Sequence, residues 1–351
     1  MNIFDYVKKY DYTFEEKPFN EVDNLIFSTL IYIDYRDIIN GVMTLENISK
    51  KYLSVTNINK KNKEIFAVKN AKKLLELIPD SKRFKDVLVY NYVYESDEKS
   101  QFGALTYGFN DTLYVAYEGT DDLISGWEED FEMAYNFPVV AHKKAIKYLK
   151  RYTFTNKKLY VGGHSKGGNL ALVAGMCSNF ILRKKIINIY SNDGQGLRLS
   201  EIESNKYKRI KSKLIHFIPQ NSIVGLLFRH DTDVVVKAKA PTIVSHIPSS
   251  WVVKEDSFER SELVKSSSIF DKGMIEWLNC YDYSKREKFI TEVFDILREN
   301  EITSLLQIKS DFTYVFKLVK SSANVSDETK QMVNDLLKIL SKVTKETRLE
   351  K

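Results

Sequence analysis

The sequence predicts an α/β fold, a mainly parallel sheet with helices on both faces. Between about residues 86 and 250, strand patterns of buried type alternate with helical patterns. The segments before and after this region carry apolar residues at helical spacing. We therefore predict a sheet domain over 1–254, whose segment 1–80 is helical, and a C-terminal helical region over 255–351.

The N-terminal segment contains two clear helix signals. The run NEVDNLIFSTLIYIDYRDII spaces its apolar residues as a helix does, and Asn20 is placed to cap it. The run NAKKLLELIP is amphipathic, and Pro79 should end that helix.

Strand patterns occupy the middle of the chain. In chain order they are DVLVYNYVYE, QFGALTYGFN, TLYVAYEGT, KKLYVGG, KKIINIYSND, KLIHFIPQ and DTDVVVKA. A polar turn over 96–99 makes the first two a hairpin, which is compatible with an antiparallel edge. A basic amphipathic helix over 139–153 separates the third strand from the fourth.

The last hundred residues are predicted to be helical. Apolar residues recur at i, i+3, i+4 and i+7 in MIEWLNCYD, REKFITEVFDILRENEI, TSLLQIKSDFTYVFKLVKSS and DETKQMVNDLLKILSKVT. Ser326 is a plausible cap of the last helix. We interpret this region as an appendage that packs on the sheet. The alternative is a surface that binds a protein partner.

Composition narrows the class of protein. The 351 residues are 43% hydrophobic with a net charge of +6, and the lysines form no basic stripe with interleaved aromatics, so no nucleic-acid partner is expected. Cys177 and Cys280 are too few for a disulfide framework. No transmembrane segment and no secretory leader are recognisable, so we expect a cytoplasmic protein. The segment 162–167 lacks the G-K-[ST] end of a phosphate loop, and no cofactor or metal is expected.

The most informative motif is Gly163-His164-Ser165-Lys166-Gly167, set between the strand LYV and an alanine-rich helix. A strand, G-x-S-x-G and a helix in this order form the nucleophile elbow of an α/β-hydrolase-like fold. Small neighbours allow the turn to be tight, and the helix directs its amide dipoles at the serine. Ser165 is therefore the candidate nucleophile. The alternative is a glycine-rich turn without chemistry.

A serine nucleophile needs a base, and the base follows the serine in this fold. Three histidines do so. His216 lies within a strand pattern, in a core or flanking position, and His230 lies in a polar turn that should be solvated. His246 follows the last strand on a proline-bounded loop, which is where the fold delivers its base, so we favour His246 and keep His230 as the next candidate.

The orienting acid is less clear from the sequence. Asp193 ends the strand that follows the elbow strand, at the edge where catalytic groups gather, and it leads. The next strand ends without a carboxylate, but Asn221 or Ser222 could orient the base by a neutral hydrogen bond. We interpret Asp231 and Asp233 as acidic turn residues.

Two groups are expected to hold the oxyanion. One is the backbone N–H of Lys166, the residue after the nucleophile. The other is Thr120, which follows Gly119 at the end of an earlier strand and offers an N–H and a hydroxyl. We expect the amides of Lys166 and of the turn 119–121 to converge beside Ser165, and the Ser165 hydroxyl to hydrogen-bond to His246.

Several motifs together resemble a known family. They are YEGTDDLISGWEEDF, GGHSKGGNLA, SNDGQGL, IPQNSIVGLL and SHIPSSW. Over roughly residues 1–255 the chain resembles the Mbeg-like family of uncharacterised bacterial α/β-hydrolases, which is related to the class 3 (fungal-type) lipases. The resemblance implies a serine hydrolase with Ser165 as nucleophile, His246 as base, and Thr120 and Lys166 at the oxyanion hole. It implies no particular substrate.

The chain departs from the related lipases at two places. Glu118 stands where they favour an arginine, and Gln220-Asn221-Ser222 covers the region where they carry an aspartate. Our first hypothesis is an esterase or lipase-like enzyme that cleaves the acyl ester of a small molecule or lipid. The alternative is a catalytically degenerate hydrolase fold that binds a partner through its helical tail.

Overall fold

The computed structural model describes residues 1–56, 65–97, 100–120, 124–231, 233–302 and 312–349. Its centre is an eight-stranded sheet in which the strands follow each other in chain order. The strands are β1 Met43–Thr44, β2 Leu88–Ser96, β3 Gln101–Phe109, β4 Thr112–Tyr117, β5 Lys158–His164, β6 Ile186–Asn192, β7 Leu214–Pro219 and β8 Asp233–Val236. Two short strands, β9 Val253–Lys254 and β10 Ser257–Phe258, pair separately.

The sheet is antiparallel at one end and parallel over the rest. The pairs from β1 to β4 are antiparallel, which confirms the predicted antiparallel edge. The pairs from β4 to β8 are all parallel. Parallel neighbours need crossover connections, so β4 to β8 all end at the same edge of the sheet. That edge is where the candidate residues gather.

The helices surround this sheet and extend beyond it. They are α1 Ile3–Lys9, α2 Glu21–Leu30, α3 Leu45–Thr56, α4 Phe66–Leu77, α5 Ile124–Glu132, α6 Val140–Lys150, α7 Lys166–Met176, α8 Phe180–Lys185, α9 Leu199–Ile202, α10 Asn205–Lys208, α11 Lys265–Asn279, α12 Tyr283–Glu299, α13 Phe312–Ser321 and α14 Asp327–Leu349. Within the described ranges, none of them is both long and apolar enough to cross a lipid bilayer.

Side chains of β4 show that both faces of the sheet are covered. Tyr114 and Ala116 belong to the apolar core formed with the N-terminal helices. Leu113, Val115 and Tyr117 belong to the core on the other face, with α6 and α7. Because successive strand residues point to opposite faces, this alternation places helices on both sides. The α/β fold class predicted from the sequence is confirmed.

The predicted cap at the start of the N-terminal helices is present. The Asn20 side chain accepts from the amides of Val22 and Asp23, and the Asp23 carboxylate accepts from the Asn20 amide at 2.9 Å. This reciprocal pair is a capping box, so α2 begins where the sequence placed it. Helix α4 passes into a short 3₁₀ turn at Ile78–Asp80, which contains Pro79.

The C-terminal helices pack on the rest of the chain through α5. Their apolar cluster includes Ile124 of α5, and Phe131 lies 5.8 Å from Phe294 of α12, measured between ring centroids. Ser326 caps α14 by accepting from the Thr329 amide. Part of the predicted third helix, 303–311, lies outside the described residues. Binding of a protein partner by this region stays a prediction.

One buried ion pair holds the N-terminal segment. Arg83 and Asp23 have no exposed side-chain surface, and the guanidinium bonds the carboxylate through two nitrogens at 2.8 and 2.6 Å. Its remaining N–H groups donate to the backbone carbonyls of Tyr12, Thr13, Lys17 and Pro18. The arginine therefore ties the loop before α2 to α2 itself.

Replacing Arg83 by methionine should destabilise the fold strongly. The Arg83→Met variant would remove the charged partner of a buried carboxylate and the guanidinium donors to four carbonyls, at a cost of about 3–5 kcal/mol in the free energy of unfolding. Urea denaturation measures it. Lys82→Met is the matched control, because its pair with Glu16 is about half exposed and should matter by about 1 kcal/mol or less. Equal midpoints for the two variants would contradict the role of Arg83.

Candidate active site

The elbow is a sharp turn between β5 and α7. Ser165 has φ 57° and ψ −134°, a left-handed backbone value that is uncommon outside glycine. A β-carbon on Gly163 would lie 2.3 Å from the carbonyl carbon of Gly167, and one on Gly167 would lie 2.1 Å from the carbonyl oxygen of Tyr117. Both glycines are thus required by close approach. They allow the elbow to pack directly on the end of β4.

Helix α7 begins at Lys166, directly after the candidate nucleophile. The first amides of a helix have no carbonyl of that helix to bond, so the Lys166 N–H is available beside Ser165. The Lys166 side chain points the other way: its ammonium is buried, bonds the Glu129 carboxylate, and donates to the Gln101 carbonyl at 3.2 Å. Only the backbone of Lys166 can therefore serve the predicted oxyanion hole.

Asp193 follows β6 at the same edge and has no exposed surface. One carboxylate oxygen accepts from the Ser222 hydroxyl at 2.6 Å and from the Gly225 amide at 3.0 Å. The other lies 2.6 Å from Nδ1 of His246. Burial alone would raise the pKa of Asp193, but the hydrogen bonds and the charge of His246 hold it below the usual value. The side chain is therefore a carboxylate poised against an imidazole.

The candidates for orienting His246 occupy different places. Of the three, Asp193 bonds the imidazole in the described part of the chain, and Ser222 bonds Asp193 instead. The Asn221 amide donates to the Ala240 carbonyl at 3.1 Å. The expectation that Asn221 could orient the base directly therefore finds no contact among the described residues.

The expected hydrogen bond between the Ser165 hydroxyl and His246 is not formed within the described residues. The His246 ring nevertheless lies close to the elbow, since its centroid is 4.4 Å from that of His164, the residue before the nucleophile. Hydrogen bonds of catalytic groups are often long or misaligned before substrate binds. The ring of His246 thus lies beside the residue that precedes Ser165.

His164 is a site residue that the sequence analysis did not single out. Its Nε2 lies 2.7 Å from the carbonyl oxygen of His246, and its Nδ1 lies 3.0 Å from the Tyr32 hydroxyl. Burial, and then the neighbouring His246, lower the pKa of His164 to about 3, so the ring is neutral. A neutral ring donates through Nε2 and accepts from Tyr32 at Nδ1. Its position inside the G-x-S-x-G motif was the available signal.

Thr120 lies at the end of β4, next to the elbow. The position of a β-carbon on Gly119 is 2.6 Å from the His164 carbonyl oxygen, which shows how closely this turn approaches. The Thr120 hydroxyl donates to the Asp130 carboxylate at 2.7 Å. Asp130 is fully buried on α5, and burial raises its pKa to about 7. Asp121, the last residue of the expected oxyanion turn, lies outside the described residues.

The other two histidines after the elbow are not solvated loop residues. The expectation for His230 is wrong: its side chain is only 8% exposed and stacks on His216, with ring centroids 4.4 Å apart. The reason is that the turn carrying His230 folds back onto the sheet beside β7. Asp233, interpreted as an acidic turn residue, begins β8 and lies 2.7 Å from Nδ1 of His216. These residues form a separate cluster.

The sheet order, the covering helices and the strained turn at Ser165 define an α/β-hydrolase-like fold. The chain belongs to the Mbeg1-like family, whose sequence model matches residues 78–295, more than half of its length. A comparison with the curated proteins found no significant match.

Solved structures of fungal lipases show a distant likeness. The native Rhizomucor miehei lipase propeptide complex is 12% identical and covers 66% of this chain and 83% of its own, with a TM-score of 0.38. A deletion mutant of the same complex gives the same identity and TM-score over 81% of its own length. A fungal lipase–inhibitor complex is 14% identical over 48% of this chain and 70% of its own, with a TM-score of 0.33.

The buried carboxyl of Asp130 should make stability depend on pH. The folded protein keeps its proton up to about pH 7, whereas the unfolded chain loses it near pH 3.9. Between about pH 4 and about pH 7 the folded state therefore binds more protons than the unfolded chain. As pH rises through this range, the free energy of unfolding falls by at most about 1.4 kcal/mol per pH unit.

The Asp130→Asn variant should lack this contribution. Relative to the unaltered protein, its free energy of unfolding should increase between about pH 4 and about pH 7 and stay level above. Urea denaturation at several pH values measures it. Asp111→Asn, at an exposed turn, is the control, and its free energy of unfolding should follow that of the unaltered protein at every pH. Parallel pH profiles for Asp130→Asn and the unaltered protein would contradict the assignment.

Proposed function

We propose that this protein is a serine hydrolase that cleaves acyl esters, with Ser165 as nucleophile, His246 as base and Asp193 as the acid that orients the base. One observation carries the proposal. A fully buried carboxylate lies 2.6 Å from Nδ1 of an imidazole whose ring packs next to a strained serine turn. A buried carboxylate, an imidazole and a serine on a nucleophile elbow are the groups that acyl transfer requires.

The role of His246 follows from which of its two ring nitrogens is already hydrogen-bonded. Because Nδ1 of His246 faces Asp193, Nε2 is the nitrogen left to take the proton of Ser165. The serine oxygen attacks the acyl carbonyl, and His246 returns the proton to the leaving alcohol. Water then attacks the acyl-enzyme, His246 takes one of its protons, and the serine leaves protonated with release of the acid.

The oxyanion would be held at the start of α7. The Lys166 N–H and the positive end of the helix dipole face the developing charge, and the Thr120 turn supplies the second donor. The Thr120 hydroxyl already donates to Asp130, and this bond holds the residue in place, which leaves its backbone N–H as the proposed donor. We infer that Thr120 acts through its amide.

The substrate class is a small-molecule or lipid-like ester. The His246 side chain retains 18% exposure, so the proposed base is accessible to a ligand from the carboxyl edge of the sheet. The alternative of a degenerate scaffold drew on the missing carboxylate after β7. The contact of Asp193 with His246 supports the enzyme over that alternative.

Labelling with a fluorophosphonate probe and turnover of p-nitrophenyl esters of several acyl lengths test the proposal. The full chain should label and turn over, and Ser165→Ala should do neither. Asp193→Asn should lower kcat by about four orders of magnitude, since the imidazole loses its orienting charge. Ser200→Ala, at an exposed site on α9, is the matched serine control and should behave as the unaltered protein. Labelling that persists in Ser165→Ala, or a folded protein inert to every probe, would overturn the assignment.

A further inference from the structure

A second cluster of titratable groups lies apart from the candidate active site. His216 is on β7, Asp233 is its register partner at the start of β8, and His230 lies on the connection between them. One ring nitrogen from each histidine and a carboxylate oxygen all lie within 4.8 Å of one another. The proposed hydrolysis uses none of these residues.

Both ring nitrogens of His216 face oxygen acceptors. Nε2 lies 2.9 Å from the Gly194 carbonyl, and Nδ1 lies 2.7 Å from the Asp233 carboxylate. A neutral imidazole carries one N–H and can satisfy only one of these contacts. When Nε2 donates to Gly194, the lone pair on Nδ1 and the Asp233 carboxylate face each other, and a cation between them would satisfy both.

His230 adds a second nitrogen aimed at the same place. Its Nε2 bonds the Leu227 carbonyl at 3.1 Å, which leaves the lone pair on Nδ1, 3.9 Å from the Asp233 oxygen. The neutral imidazole, with a free lone pair on one ring nitrogen, is the form of histidine that binds metals. Imidazoles that bind metal commonly donate their other N–H to a backbone carbonyl, as both rings do here.

We propose that His216, His230 and Asp233 bind a zinc ion through Nδ1, Nδ1 and the carboxylate. Tetrahedral ligands of zinc lie about 3–3.5 Å apart, between the 2.7 Å and 3.9 Å that separate the two nitrogens from the Asp233 oxygen. The outer torsion of histidine is broad enough for both rings to turn toward one ion. The Asp233 side chain is 29% exposed, which leaves room for water as the fourth ligand.

The ion would stiffen the neighbouring candidate active site without joining its chemistry. His216 holds the Gly194 carbonyl through Nε2, and Gly194 follows Asp193. A zinc ion on Nδ1 fixes the tautomer in which Nε2 donates, so it secures the turn that carries the carboxylate. The site escapes motif recognition because its ligands are scattered over residues 216–233 and meet only through the pairing of β7 with β8.

Metal analysis of the tag-free full chain tests the site. After incubation with Zn²⁺ and dialysis, about one zinc per chain should remain, and the melting temperature should rise with added Zn²⁺. Substituting a residue that hydrogen-bonds to a metal ligand typically lowers metal affinity about 10- to 100-fold. His230→Gln and Asp233→Asn remove ligands, so each should lower the affinity for Zn²⁺ by more than that, and added Zn²⁺ should no longer raise the melting temperature. His246→Gln, which alters a histidine outside the cluster, should retain the zinc.

Two further measurements distinguish zinc at this cluster from zinc bound by a cysteine thiolate. Co²⁺ should give the visible bands of a tetrahedral ion without a thiolate charge-transfer band, and Cys177→Ser and Cys280→Ser should bind Zn²⁺ as the unaltered protein does. Circular dichroism establishes that each variant is folded. A full chain that retains no zinc overturns the proposal. The proposal is also overturned if the His230→Gln and Asp233→Asn variants retain as much zinc as the unaltered protein, or if a cysteine variant loses the zinc.

Discussion

The arrangement at the carboxyl edge of the sheet depends on one fully buried carboxylate. A charge with no contact to water persists only where hydrogen bonds replace its hydration, and Asp193 takes them from Ser222, Gly225 and His246. These donors lie on separate segments after β7 and β8, so a single side chain draws the loops together. Asp193 itself has φ 50°, a strained value that the surrounding bonds maintain. The position of His246 follows from this requirement.

The elbow adds a second constraint, which is steric. Ser165 can sit on a left-handed turn only because Gly163 and Gly167 let the end of β4 and the start of α7 come into backbone contact. Every residue of α7 is buried, so the packing of this helix in the core holds the turn in place. A serine on such a rigid element keeps its direction without help from a ligand. The His246 imidazole lies beside this same element, with its ring centroid 4.4 Å from that of His164.

Helix α5 links the C-terminal region with this edge. On one side it carries Glu129, bonded to Lys166, and Asp130, bonded to Thr120. On another side, Phe131 contacts Phe294 of the C-terminal helices. The two residues expected to hold an oxyanion are thus braced by a helix that the tail covers. Buried polar groups with matched partners specify one arrangement where apolar packing alone would allow several.

The sequence by itself determined many periodic and local features: the seven strands from β2 to β8, the cap at Asn20, the hairpin edge and the turn at Ser165. These are set by spacing and by neighbours in the chain. It also ranked Asp193 and His246, because strands of a parallel sheet end at a common edge. Only the tertiary structure decided the contacts. Three contacts depend on how the loops fold back over the sheet. Ser222 bonds Asp193 instead of His246, Asn221 bonds a backbone carbonyl elsewhere, and His230 is buried against His216. Those paths are set by packing and buried hydrogen bonds between distant residues, which leave no periodic mark in the chain.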